Sequence, residues 1–235
     1  MGLDELSGIA LTGDGRLLAH GDERGQISEI DYRRGVVTKQ FVVGRPTIRG
    51  DFEGITFADG FVFLLESNGT LYEFREGANG ERVDYTTHDT RLGKECEFEG
   101  IAFDSTLHSL LLACKNVGKK HLKDSLVIYR WRLDGRGNRL SMLTVPLSRI
   151  LPSLGEKDLH PSDITVDPLS GNYVLVASIE KAIVEITPTG DVVFARKLPG
   201  DHDQAEAVAI TPDSILIVGD EAKHRPAIIT LYPWP

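Results

Sequence analysis

Acidic side chains recur at one position of a short phrase that is repeated along this 235-residue chain. The phrase Phe-Glu-Gly-Ile occurs twice, and its glutamates are Glu53 and Glu99. Weaker copies place two serines and a glutamate in the same column, at Ser7, Ser162 and Glu206. Carboxylates gathered in a narrow, partly desolvated space repel one another, so they take up protons or need a counter-ion. The column therefore predicts a charged site that several repeats build together.

A second, mostly acidic column closes the strand that follows each phrase. Because consecutive antiparallel strands run in opposite directions, the start of one strand and the end of the next lie at the same edge. We therefore expect the two columns to meet at one mouth of the molecule, with Lys115 as the basic exception. The members of the second column are Asp22-Glu23, Glu66, Lys115, Ser178 and Asp220-Glu221.

The donor chemistry of the columns favours a hard divalent cation. Ca²⁺ accepts about 6–8 oxygen ligands in irregular geometry, and the columns contain neither cysteine nor histidine, which zinc prefers. We therefore predict an axial Ca²⁺, with Mg²⁺ as the second choice. The alternative is structural, because a carboxylate at a strand start can also accept backbone N–H bonds from a neighbouring repeat. The predicted metal ligands are Glu53, Glu99 and Glu206, with Asp22, Glu66 and Asp220 as direct or outer partners.

The spacing of the phrase identifies the elements that position it. Its column positions are separated by 46, 46, 63 and 44 residues, and a period in the forties is typical of a four-stranded repeating unit. Short apolar strands alternate with turn residues, as in Gly54–Phe57 before Asp59-Gly60. We predict an all-β fold, a five-bladed β-propeller, as one domain over residues 1–235. A β-sandwich or two small barrels is the less favoured alternative. The predicted blades start near residues 7, 53, 99, 162 and 206.

Individual strands are also predicted. The second repeat ends with a polar strand near Arg82 to Thr86, and the third is lengthened by insertions at 116–124 and 146–159. Within the later insertion, residues 147–154 are expected to form one or two helical turns. The fifth repeat shows three strands, so the last blade is either incomplete or completed by residues upstream of Met1. The first and fourth repeats have predicted strands at 8–11, 16–20, 26–31, 36–43, 163–166, 173–177, 182–186 and 192–197.

Composition narrows the classes of partner. The chain has 26 basic and 35 acidic residues and a formal net charge of −9, which argues against nucleic acid, because nucleic-acid binding depends on phosphate neutralisation by Lys and Arg. No stretch approaches the ~20 apolar residues of a membrane span, and no signal peptide is visible at Met1–Glu5. We expect a monomer that binds a small molecule or a cell-envelope component.

Three further features are interpreted as structural. Cys96 and Cys114 are too few for a disulfide scaffold; a bridge between them stays open, and free buried thiols are favoured. His160 and His202 precede the fourth and fifth phrases and are interpreted as solvated loop histidines rather than as part of the mouth. The basic cluster Lys-Lys-His-Leu-Lys at 119–123 is interpreted as a solvated loop, with a grip on an anionic substrate as the lesser alternative.

The motifs resemble a known family over nearly the whole chain, from about Glu5 to Leu231. They are Glu5–Ile9, Asp51–Ile55, Glu66 with Gly69–Phe74, Phe98–Phe103, His160–Ile164 and Asp167–Ser178. Together they resemble the SdiA-regulated domain family of bacterial proteins. The resemblance implies a propeller with an acidic axial site, distantly related to calcium-dependent lactonase-like and phytase-like propellers, but no established activity. It also implies export, hence a periplasmic or extracellular location, with the cytoplasm as the alternative. Lys115 departs from the acidic residue expected at its position.

Two functions follow from these observations. The favoured one is a calcium-binding propeller that acts as a ligand- or partner-binding module of the bacterial cell envelope, with its site at the acidic channel mouth. The alternative is a metal-dependent hydrolase, lactonase-like or phosphoesterase/esterase-like, in which the cation polarises a carbonyl and Glu66 or Glu99 acts as general base. The columns offer few asparagines or histidines to orient a substrate, which favours the binding module.

Overall fold

The structure, a computed structural model, describes residues 5–135, 140–221 and 226–235. Within them the chain is almost entirely strand and turn, and the strands form five sheets. The first strand of each sheet contacts the first strands of two other sheets, so the sheets close into a ring. The fold is a five-bladed β-propeller, and the predicted fold class is confirmed.

Each blade runs outward from its inner strand in chain order. Blade 1 contains β1 (Gly8–Leu11), β2 (Leu17–His20), β3 (Gln26–Asp31) and β4 (Val36–Val43). Blade 2 contains β5 (Phe52–Ala58), β6 (Phe61–Glu66) and β7 (Thr70–Phe74); the short β8 (Arg82–Val83) joins blade 1, and β9 (Tyr85–Asp89) completes blade 2. Blade 3 contains β10 (Cys96–Asp104), β11 (Ser109–Val117), β12 (Ser125–Arg132) and β13 (Leu140–Pro146). Blade 4 contains β14 (Asp163–Val166), β15 (Tyr173–Ala177), β16 (Ala182–Ile186) and β17 (Val192–Lys197). Blade 5 contains β18 (Ala205–Ile210), β19 (Ile215–Asp220) and β20 (Ile228–Pro233).

Most predicted strands are confirmed, and one is wrong. Blade 4 has the predicted bounds, and blade 1 differs from them by a single residue at the start of β2. The segment predicted as one strand near residues 82–86 instead divides between two blades. Val83 lies parallel to Val43 and is buried in the core of blades 1 and 2, whereas the residues from Tyr85 onward pair with β7. Burial of the one apolar side chain in this polar stretch accounts for the division.

The blade 3 insertions form short helical turns. The earlier insertion contains a 3₁₀ turn at Lys120–Leu122, and the later one contains a 3₁₀ turn at Leu147–Arg149 followed by α1 (Leu151–Leu154). The helical turns predicted over residues 147–154 are therefore confirmed. Leu122 and Leu154 are buried, so both insertions are held against the blades.

Glycines let the inner strands approach one another near the axis. A Cβ atom added to Gly8 would lie 3.2 Å from the Cα of Gly54, and one added to Gly54 would lie 3.2 Å from the Cα of Gly100. At Gly100 the added atom would lie 2.8 Å from the Cα of Asp163. These distances leave no room for a side chain, so the glycine of the repeated phrase serves close backbone packing.

The two cysteines form a disulfide between the inner two strands of blade 3. Cys96 and Cys114 have Cα atoms 5.6 Å apart, within the usual range of about 4.4–6.8 Å. The prediction that free thiols are favoured was wrong. A register shift between Glu97 and Phe98 places Cys114 opposite Phe98, which brings the cysteines together.

Candidate functional site at the axis

Three glutamates and one lysine form the acidic mouth, the name used below for Glu53, Glu99, Glu206 and Lys115. The glutamates occupy the beginnings of inner strands β5, β10 and β18, whereas Lys115 lies near the end of β11. Glu99 and Lys115 both act electrostatically on each of the other two glutamates. The structure thus brings together side chains that are far apart in the sequence, because the inner strands meet around one axis.

The ammonium of Lys115 supplies the counter-ion of the mouth. Its Nζ donates a hydrogen bond to Oε1 of Glu99 at 2.9 Å, and the two side chains are 27% and 6% exposed. Burial opposes the charge on Lys115, but the hydrogen bond to Glu99 and the charges of the glutamates outweigh it, so the pKa of Lys115 lies above its ordinary value. The mouth therefore has a built-in cation.

The glutamates hold their protons more tightly than glutamates in water. Burial, helped by the charges of Glu99 and Asp51, raises the pKa of Glu53 to about 9. Burial and the charge of Glu99 raise the pKa of Glu206 to about 7. Burial also raises the pKa of Glu99, although Lys115 opposes the shift. Near neutral pH, Glu53 is protonated and Glu206 is divided between its two forms.

The charge balance of the mouth leaves room for a second cation. One ammonium pairs directly with Glu99, Glu53 is protonated near neutral pH, and Glu206 is divided between its protonated and ionised forms. A cation that entered the mouth would favour their ionised forms and release those protons. Any cation binding at the mouth would therefore be coupled to proton release.

At blade 4 the same region has a structural role. Asp163, one residue after the phrase position Ser162, accepts hydrogen bonds from the backbone N–H groups of Val208 at 2.7 Å and Ile164 at 2.8 Å. Ser162 Oγ donates to the carbonyl of Ala205 at 2.6 Å. The contacts with Val208 and Ala205 tie blade 4 to blade 5. The expected structural alternative, a carboxylate that joins neighbouring repeats, is therefore realised by Asp163.

The three predicted partners of the metal ligands have other contacts. Asp22 shares a hydrogen bond with Glu5, which raises the pKa of Glu5. Glu66 accepts a hydrogen bond from the hydroxyl of Tyr72 at 3.1 Å. Asp220 binds the ring of a histidine, described next. Oδ1 of Asp22 is nevertheless buried without a hydrogen-bond partner in the described residues, and participation of the three side chains in an ion site stays a prediction.

His202 is buried rather than solvated, and the interpretation as a loop histidine in water was wrong. It is 3% exposed, its Nδ1 lies 2.6 Å from Oδ2 of Asp220, and its Nε2 lies 2.9 Å from the hydroxyl of Tyr232. The histidine thus ties the segment before β18 to the outer part of blade 5. The sequence around His202 does not indicate its burial, because its partners Asp220 and Tyr232 are distant along the chain.

Fully buried His20 lies beside the mouth. A Cβ atom on Gly8 would come within 2.5 Å of its Nε2, so the imidazole uses the space that this glycine leaves. Burial lowers the pKa of His20 to about 4, and Nε2 has no hydrogen-bond partner within residues 5–135, 140–221 and 226–235. His20 is therefore neutral and contributes no charge to the mouth.

Two cavities adjoin the axis, and their linings differ. A polar cavity of about 230 Å³ lies between blade 3 and the segment that leads into blade 4, and Lys115 is part of its lining. An apolar cavity of about 280 Å³ lies at the other end of the axis, where the inner strands lead into their turns, and Ile9, Ile55 and Ile101 belong to its lining. The polar cavity therefore adjoins the acidic mouth at Lys115, which belongs to both.

Calcium fits the mouth in donor type but not without a change at Lys115. The three carboxyls supply only oxygen, which Ca²⁺ prefers, yet one of them is hydrogen-bonded to the ammonium. Among the residues that the structure describes, no three His, Cys, Asp or Glu side chains are grouped to hold a metal ion. In this arrangement Glu53, Glu99 and Glu206 therefore do not form a preformed metal site in the described residues, and Glu99 is paired with Lys115 instead.

No family model and no curated protein match the chain. Solved structures do match. The structure of a streptogramin B lyase aligns with a TM-score of 0.54 and 16% identity over 100% of this chain and 70% of that chain. Glutaminyl cyclase from Myxococcus xanthus aligns with a TM-score of 0.63 and 12% identity over 99% of this chain and 93% of that chain. A luciferin-regenerating enzyme aligns with a TM-score of 0.58 and 10% identity over 95% and 86%.

The structural neighbours are β-propellers. At such low identity the likeness shows the fold alone, and membership of the SdiA-regulated domain family stays a prediction. In the described part of the chain, no helix is both long and apolar enough to cross a membrane.

Proposed function

We propose that this propeller is a binding module whose acidic mouth accepts a cation, with Ca²⁺ as the ion and a small-molecule or cell-envelope ligand bound beside it. The observation that carries the proposal is the gathering of Glu53, Glu99 and Glu206 around a single ammonium, that of Lys115. Clusters of titratable groups with strongly perturbed pKa values are concentrated at functional sites.

The chain's own residues would prepare the mouth for the ion. Glu53, Glu99 and Glu206 would hold it, and the bound ion would supply the positive charge that protons and Lys115 supply otherwise. Because the pKa values of Glu206 and Glu53 are about 7 and about 9, protons compete with the ion at neutral pH. Calcium affinity is therefore expected to rise as the pH increases from about 7 to about 9.

Calorimetry tests this proposal directly. Calcium is titrated into the protein in two buffers with different ionisation enthalpies, so that proton release appears as a buffer-dependent heat. Lys115→Met removes the competing ammonium and is expected to bind calcium at least about tenfold more tightly. The control is Lys94→Met, which changes an exposed lysine in the turn before β10. Absence of calcium binding in both the wild type and Lys115→Met would overturn the proposal.

The proposed location is the bacterial cell envelope. It is supported by the resemblance to the SdiA-regulated domain family and by the Cys96–Cys114 disulfide, because disulfides persist mainly in oxidising compartments. Fractionation of cells that express the native gene, with thiol labelling before lysis, tests it. Recovery in the cytoplasmic fraction with both thiols reactive would contradict the proposal.

One observation favours a hydrolase as the second candidate. A carboxyl with a pKa of about 7, that of Glu206, is suited to act as a general base at neutral pH. Glu99 is bonded to Lys115 and Glu66 accepts from Tyr72, so Glu206 is the better base than either predicted candidate. Turnover of lactones, phosphomonoesters or carboxyl esters with calcium, lost in a folded Glu206→Gln variant, would establish this function.

A further inference from the structure

We propose that the polar cavity beside blade 3 binds the carboxylate group of a small organic ligand. The cavity has a volume of about 230 Å³, and the calcium proposal is not needed for it. A cavity of about 150 Å³ is known to hold benzene, so this one has room for a carboxylate of about the size of benzoate. Its chemically active lining consists of Lys115, Asn116, Lys123, Ser125, Asp158 and His160.

Both irregular segments of the chain line this cavity. The interval from the third to the fourth phrase is 63 residues, compared with 46, 46 and 44 elsewhere, and the additional residues lie in the two blade 3 insertions. The earlier insertion contributes Asn116 and Lys123, and the later one contributes Leu147 and Asp158. Insertions that leave the scaffold intact are frequent carriers of binding residues. The lengthened third repeat therefore contributes both of its insertions to the pocket.

The earlier insertion is anchored so that Lys123 lies at the cavity. Leu122 is 8% exposed and belongs to the core of blades 2 and 3. Lys119 is tied to Glu95 at 2.8 Å on the outer side. Lys123 makes no ion pair in residues 5–135, 140–221 and 226–235. The cluster interpreted as a solvated loop thus presents one uncompensated ammonium to the cavity.

His160 lines the side of the cavity opposite Lys123, and its ring is held in a fixed orientation. Its Nδ1 lies 2.7 Å from Oε1 of Glu180, and its backbone N–H donates to Oε2 of the same carboxylate at 3.1 Å. Glu180 is 6% exposed, so this support is fixed. The remaining ring nitrogen lies 3.8 Å from Oδ2 of Asp158, whose side chain is 58% exposed and whose Oδ1 accepts the backbone N–H of Leu159 at 2.9 Å. His160 is therefore half-buried and held in place by Glu180, so its interpretation as a solvated loop histidine was wrong.

The charges of the lining favour a monoanion. Lys115 is paired with Glu99, so Lys123 is the lining ammonium without an ion pair in the described residues, while Asp158 adds one negative charge to the lining. A carboxylate carries one negative charge and accepts from Lys, Asn and Ser donors. A phosphate dianion would leave a charge unpaired close to Asp158, and unpaired charges in a confined site are costly.

Titration with named anions tests the proposal. Benzoate, acetate and inorganic phosphate are followed by ligand-observed NMR and calorimetry, with EDTA present so that failure of the calcium proposal has no influence. Benzoate is expected to bind, and Lys123→Met is expected to weaken binding by about tenfold, the effect of one charge-assisted hydrogen bond. Lys120→Met is the matched control, because Lys120 belongs to the same insertion but not to the cavity lining.

Three results would overturn the proposal. They are no saturable binding of benzoate, equal binding by the wild type and Lys123→Met, and tighter binding of phosphate than of benzoate. His160→Gln provides a second variant from the opposite side of the cavity, and it is also expected to weaken benzoate binding. Unfolding curves for each variant show whether a loss of binding reflects a loss of the fold.

Discussion

Replacement of Glu206 by glutamine tests the electrostatics of the mouth without any ligand. Burial and the charge of Glu99 raise the pKa of Glu206 from 4.5 to about 7 in the folded protein. Because the folded state binds this proton more tightly than the unfolded chain, its contribution to stability is complete below about pH 4.5 and is lost as the pH rises to about 7. Glutamine does not ionise, so the stability of the Glu206→Gln variant should not fall as the pH rises from about 4.5 to about 7 through this group.

The size of the effect follows from the shift. A difference of about 2.5 pKa units, 7 minus 4.5, corresponds to about 3.4 kcal/mol at ~1.36 kcal/mol per unit. Solvent reaches part of the carboxyl and screens its interactions, so we expect a gain of about 2 kcal/mol. The variant is therefore expected to match the wild type near pH 4.5 and to be about 2 kcal/mol more stable above pH 7.

Urea unfolding at several pH values between 4.5 and about 8 measures this difference. Calcium is removed with a chelator, and the disulfide is kept intact by omission of reducing agents. Glu81→Gln is the matched control, because Glu81 is exposed at the outer side of the blades and its glutamine can still accept the N–H of Ala78. A stability difference for Glu206→Gln that is constant with pH, or that favours the wild type at high pH, would refute the reasoning.

Three further predictions concern the scaffold, and urea unfolding measures each of them. Asp163→Ala leaves two buried backbone N–H groups without an acceptor and is expected to cost about 2–4 kcal/mol, with a smaller cost for Asp163→Asn. Gly54→Ala places a methyl group 3.0 Å from a backbone nitrogen and is expected to cost about 1–3 kcal/mol, whereas Gly13→Ala, with its nearest contact at 3.9 Å, is expected to cost less than about 1 kcal/mol. Loss of the Cys96–Cys114 bridge, which spans 18 residues, is expected to cost about 3 kcal/mol; equal stability with and without a reducing agent would contradict this.

The fold was predictable because the sequence repeats its own local rules. The recurring phrase lies at or near the start of each inner strand, and the glycine that it carries in blades 1 to 3 marks a close backbone contact. Alternating apolar residues and turn residues then set the strand bounds, most accurately in blade 4, where no insertion intervenes. Each of these signals involves residues that are neighbours in the chain, so a single sequence is enough to detect them.

The features that sequence reasoning missed depend on contacts between distant segments. Lys115 was visible only as an exception in an acidic column, and its bond to Glu99 follows from a register that the sequence does not specify. The register shift between Glu97 and Phe98 also brings Cys96 and Cys114 together. Val83 leaves its expected blade because a neighbouring core has space for it. The contact between His202 and Tyr232 joins residues from two edges of one blade.

The disulfide has a practical consequence for every measurement on the mouth. Regular pairing between β10 and β11 is interrupted between Phe98 and Ile101, where Glu99 lies, so ladder hydrogen bonds do not hold that glutamate opposite its lysine. Cys114 directly precedes Lys115, and the covalent link replaces the missing ladder. We expect reducing agents, which break this link, to leave Lys115 less firmly held against Glu99. Affinities from reduced and oxidised preparations should therefore not be pooled.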